Sequence, residues 1–84
     1  MRVDMDMYKR SKPFAQEWYT NFGKDNPGMS ISLLAFMTGC PCIVIAHWIA
    51  EVEGYPDWIV KKIDILMKFY GYQEIANLPE GVLK

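Results

Sequence analysis

From Met29 to Ala50 the chain runs 22 residues without an Asp, Glu, Lys or Arg. About 20 apolar residues are enough to span a bilayer, so this run must cross a membrane or be buried by the rest of the chain. Gly39 and Pro41 decide against a span, because they interrupt the run near its middle, and Ser30, Ser32, Thr38 and His47 add polar groups on both sides. The expectation is therefore two short buried helices joined by a tight turn, in a protein without a membrane association.

Eighty-four residues suffice for one domain, and so short a chain buries only about 60% of its unfolded surface. With 51% apolar and 14% aromatic residues the core can still be dense, and sharing it in a homodimer or tight complex is expected. The formal net charge of −1 gives no bulk attraction to polyanions, so any nucleic-acid contact must come from a local patch. Lys9, Arg10 and Lys12 form such a patch, with Lys61, Lys62 and Lys68 as a second group, while Glu51, Glu53 and Asp57 read as a solvated acidic edge.

The turn signals divide the chain. Residues 1–12 lack period and read as a mobile arm; Pro13 suits the first turn of a helix carrying the aromatic stripe Phe14, Trp18 and Phe22; Gly23 ends it. Ser30 is the expected cap of a second helix with Leu33, Leu34 and Met37 facing inward, and Gly39 closes it. Pro41 opens a third helix to about Glu53, burying Ile45, Trp48 and Ile49 or Val52 before Gly54. Pro56 opens a fourth, with Ile59, Ile63, Leu66 and Tyr70 on one face and Gly71 as its stop. One more turn around Glu74 to Leu78 precedes a tail over residues 79–84. The predicted fold is all-α, a four- or five-helix single domain over residues 13–78 with a helix-turn-helix at residues 31–50.

Two segments carry a functional hint: Ile31-Ser32-Leu33-Leu34-Ala35-Phe36-Met37-Thr38-Gly39-Cys40, then Pro41-Cys42-Ile43-Val44-Ile45-Ala46-His47-Trp48. Ala35 is small where two helices would cross, Gly39 makes the turn, and Leu34, Cys40, Ile45 and Trp48 would fill the space between them. This stretch resembles the helix-turn-helix of phage-repressor (Cro-like) small regulators, with their Leu-Ala, Thr-Gly and late Ile and Trp. The resemblance extends through Gly54-Tyr55-Pro56-Asp57-Trp58 to Leu66 and covers about half the chain, Ser30 to Tyr70. It implies a cytoplasmic, homodimeric regulator that presents the second helix to double-stranded DNA. Ser30, Ser32, Cys42, Ile43, Ala46, His47 and Ala50 would then be the contact residues, and Lys9, Arg10 and Lys12 the phosphate contacts.

None of the base-facing positions is the Arg, Lys, Asn or Gln that makes bidentate contacts with base edges. The alternative is a protein-binding inhibitor or adaptor that offers Ile43, Ala46 and Ala50 as an exposed apolar face beside Glu51. Trp18, Trp48 and Trp58 read as core rather than as a stacking platform. Cys40 and Cys42, two apart around Pro41, read as reduced thiols because such close neighbours rarely reach the Cβ separation of a disulfide, and with His47 they fall short of a four-ligand zinc site. No metal or other cofactor is expected. With one His, no nucleophile beside a base and no phosphate loop, the chain is not expected to be an enzyme, and no small-molecule substrate is implied.

Overall fold

The computed structural model describes residues 5–76, and side chains for residues 6–68. Four α-helices and one π-helical turn follow one another: α1 (Met5–Trp18), the π-helical turn (Tyr19–Gly23), α2 (Pro27–Thr38), α3 (Cys42–Glu53) and α4 (Asp57–Ala76). The all-α class is as the periodicity predicts. Residues 1–4, Leu78 and the expected tail 79–84 lie outside the described residues.

Glycine and proline set the joints of the second half. Gly39 and Gly54 both adopt left-handed backbone (φ 74° and 78°), a conformation open to glycine without steric cost, and their amides donate to the carbonyls of Ala35 and Ala50. Pro41 stands immediately before α3, and Pro56 immediately before α4. Thr38 reinforces the first joint: its hydroxyl donates to the Leu34 carbonyl (2.6 Å) and accepts from the Cys40 amide (3.2 Å).

The first half departs from expectation. The segment read as an arm is helical from Met5, and Pro13 lies inside α1 rather than at its start. Proline there removes the amide that would bond the Lys9 carbonyl; Lys9 and Pro13 are both exposed, so water can serve that carbonyl. The core face of α1 and of the π-helical turn that continues it is Tyr8, Ala15 and Tyr19, whereas Phe14 and Phe22 are exposed and Trp18 is half-buried. Helix α2 begins at Pro27, capped by the Asn26 side chain, whose oxygen accepts from the Met29 amide (3.2 Å). Ser30 is thus not the cap. Gly71 does not stop α4, which continues to Ala76; an interior glycine costs a helix about 1 kcal/mol and need not end it.

Helix α3 is the axis of the packing. Ile43, Val44, Ile45, Ala46, Trp48, Ile49 and Ala50 are all buried, facing α1, α2 and α4 on successive sides. A helix apolar around its whole circumference is stable only when enclosed, and α3 packs against all three of the other α-helices. Ile31 and Leu34 close it from α2, and Ile59, Ile63 and Leu66 from α4, on the face the spacing predicts. The Tyr8 ring stands edge-on to Trp48, with centroids 6.1 Å apart. Among the described residues no helix is long and apolar enough to cross a membrane.

Candidate functional site

The residues expected to face DNA or a partner do not form one surface. Ile43 is 2% exposed and Ala46 and Ala50 are 0% exposed, which corrects the expectation of an apolar face on α3. The physical reason is that α1, α2 and α4 between them enclose most of the circumference of α3, leaving His47 and Glu51 on one side and Val52 at its end as the positions open to solvent. Ser30 is buried as well, its hydroxyl within hydrogen-bonding reach of the Gly23 carbonyl (2.7 Å) and the Asn26 carbonyl (2.9 Å). Ser32 is exposed on α2, on the other side of that helix from Ser30.

His47 is half-buried at the edge of α3. One ring nitrogen lies 3.4 Å from the Tyr55 hydroxyl and the two rings meet edge-on at 6.2 Å. Tyr55 is held in left-handed backbone (φ 56°), unusual for a residue with a Cβ, and that conformation turns its ring back onto His47. Burial lowers the pKa of His47 from its ordinary value of 6.5, against a smaller upward pull from Glu51.

The basic patch is also divided. Lys9 and Arg10 are exposed, but the Lys12 ammonium lies 2.9 Å from a Glu51 carboxylate oxygen. Gln16, one turn further along α1, donates to the other face of the same junction: to the Trp48 carbonyl (3.0 Å) and to Glu51 (3.0 Å). A further turn on, the Tyr19 hydroxyl donates to Glu53 (2.7 Å). Glu51 and Asp57 are exposed, as expected of an acidic edge, and Glu53 is half-buried. Glu51 and Glu53 also receive a ladder of side chains from α1 and the π-helical turn that sequence reasoning missed, in part because the segment around Lys12 read as an arm. Cys40 is buried and Cys42 half-buried, with no disulfide between them. Among the described residues no group of His, Cys, Asp and Glu is arranged to hold a metal ion.

What the fold exposes instead is the outer side of α2. Met29, Leu33, Phe36 and Met37 fall at i, i+4, i+7 and i+8, and all four are exposed, Phe36 to 87%. Leu33 and Met37 were expected to face inward; only Leu34 of that trio does. The signal for this face is in the sequence: α2 is apolar on both sides, and a helix at the periphery can bury only one. No charged residue lies on α2. Compared with protein-family models, curated proteins and solved structures, the chain matches none of them.

Proposed function

We propose that this protein is a protein-binding module, of the adaptor or inhibitor kind, whose docking face is the outer side of α2 and whose partner at that face is a second copy of the chain. The observation that carries the reading is the exposed stripe Met29, Leu33, Phe36 and Met37 on a helix with no charge. Large apolar patches on a small domain mark association sites. A two-fold interface sets each patch against its own copy, so a charged stripe would meet its own sign; an uncharged one pairs with itself at no such cost. Four side chains on a helix about 18 Å long make a small patch, so the association expected is a weak one, with a Kd on the order of 10 µM.

A regulator that reads DNA through the second helix of a helix-turn-helix requires that helix to offer side chains to base edges. The enclosure of Ile43, Ala46 and Ala50 withdraws support from that reading and equally from a partner face on α3, so the support for protein binding rests on the exposed side of α2. Sedimentation of the wild type and of Phe36→Glu tests it. The wild type is expected to approach twice 9.8 kDa at about 100 µM, with the variant at 9.8 kDa and unchanged in helical content. A wild type that stays monomeric at that concentration, or a variant that still dimerises, overturns the proposal. Salt-steep retention of DNA that survives Phe36→Glu would restore the regulator.

A further inference from the structure

The aromatic stripe at the rim of the core forms a second site. Phe14, Trp18 and Phe22 recur every four residues; Phe14 and Phe22 face outward, Trp18 is half-buried with one side against the core, and with Glu17 and Asn21 they line an open depression of about 180 Å³. Phe22 is 72% exposed. The Trp18 and Phe22 rings touch at a centroid separation of 6.0 Å with their planes tilted by 54°. Asn21 and Phe22 are carried on the π-helical turn, a local widening of the helix that recurs at functional sites.

Size and chemistry select the occupant. Pockets for free small molecules run from about 300 to 1,000 Å³, so this depression takes one side-chain head rather than a whole ligand. Aromatic faces carry negative charge density and attract a cation, and Glu17 supplies a formal negative charge at the same place. Among the described residues no ion pair or side-chain hydrogen bond within the fold engages the Glu17 carboxylate. An ammonium ion prefers a cage closed on several sides, whereas this site is open. A planar guanidinium fits an open site better, stacking on a ring while donating two parallel hydrogen bonds to a carboxylate and one to an amide oxygen.

We infer that the Phe14, Glu17, Trp18, Asn21 and Phe22 depression binds an arginine side chain of a partner protein. Trp18 and Phe22 supply the stacking surface, Glu17 the paired acceptor and Asn21 the third. The site lies on α1 and the π-helical turn and does not depend on self-association through α2.

Titration of the isotope-labelled protein with acetyl-Gly-Arg-Gly-amide, followed at the indole N–H of Trp18, tests the site; Trp18→Phe assigns that signal. The citrulline peptide has the same shape without the charge, and the lysine peptide has the charge without the plane. The arginine peptide is expected to move the Trp18 signal with millimolar affinity, the lysine peptide more weakly, and the citrulline peptide not at all. Glu17→Gln, at an exposed position that leaves the fold intact, is expected to weaken the arginine peptide about threefold. Phe36→Glu is expected to leave the titration unchanged, which separates this site from the α2 face. Equal shifts with citrulline, equal affinity for lysine, an unaffected Glu17→Gln variant or no Trp18 shift at about 10 mM arginine peptide would each overturn it.

Discussion

The Tyr19 hydroxyl donates a 2.7 Å hydrogen bond to the Glu53 carboxylate, joining the start of the π-helical turn to the last turn of α3. Burial first, then the Glu53 hydrogen bond and charge, raise the pKa of this phenol well above its ordinary 10.0. The folded state thus holds the proton more tightly than the unfolded chain. Stability from this group is complete below pH 10 and falls as pH rises above it, because there the unfolded chain releases a proton that the native state keeps. Tyr19→Phe is expected to cost about 1–2 kcal/mol at neutral pH through the lost bond to a charged acceptor. It is also expected to flatten the alkaline loss, read by chemical denaturation between pH 8 and about 11. A steeper alkaline loss in the variant would contradict the assignment.

Gly23 is required by proximity. A Cβ placed there would stand 2.6 Å from Ser30 Oγ and 3.0 Å from the Tyr19 ring, where the π-helical turn and α2 touch. Gly23→Ala is expected to destabilise by about 1–3 kcal/mol through overpacking. Combining it with Ser30→Ala removes the nearer obstacle, so the double variant should lose less than the two single losses added. Thermal midpoints of the four proteins measure that coupling; strict additivity would mean the two residues are not in contact.

These two contacts also show what the sequence could and could not reveal. The joints at Gly39, Pro41, Gly54 and Pro56 were legible, since positive φ and a missing amide are properties of single residues. The facing of each helix was not. Phe14, Trp18 and Phe22 have helical spacing, and spacing identifies a stripe without saying whether the core or the solvent receives it. The inward residues of α1 and the π-helical turn, Tyr8, Ala15 and Tyr19, have helical periodicity offset by one residue, and Tyr8 sits among charges that disguised it. On α3 apolar residues occupy every side, so no period marks a face, and the resemblance to a helix-turn-helix supplied an exposed side where packing leaves almost none. The candidate site on α2 was hidden for the complementary reason. Leu33 and Met37 were assigned to a core that Ile31, Leu34 and the residues of α3 already fill.

His47 makes the fold sensitive to mild acid. Its pKa is lowered chiefly by burial, so protonation is harder in the folded state than in the unfolded chain. The stabilising contribution is present above pH 6.5 and is lost as pH falls below it through the depressed folded value. The window in which to follow His47 is therefore pH 5 to 7, around and below the ordinary imidazole value. The thermal midpoint of the wild type should decline across that window, and His47→Gln should flatten the decline. A variant with the same slope as the wild type would place the acid sensitivity elsewhere.

The lack of charge along α2 makes a prediction that separates the two functional readings without a partner in hand. An interface built from Met29, Leu33, Phe36 and Met37 has no ion pair to screen and displaces no condensed counterions. Its dimer Kd should therefore change by less than about twofold between 50 mM and 500 mM salt, and strengthen slightly if sulfate replaces chloride. DNA binding behaves oppositely, weakening with a logarithmic slope of about −0.9 per phosphate neutralised. Lys9 and Arg10 are exposed on α1 and Lys12 is held by Glu51, so two neutralised phosphates are the most that this patch supplies in its folded arrangement. Sedimentation of the wild type and Leu33→Glu across that salt range measures the first behaviour, and retention on a short duplex measures the second. Leu33→Glu should be monomeric at every salt concentration, because a two-fold contact would bring two buried carboxylates together. A dimer that dissociates steeply with salt would show that charged residues outside α2 hold it, and the docking face would have to be sought there.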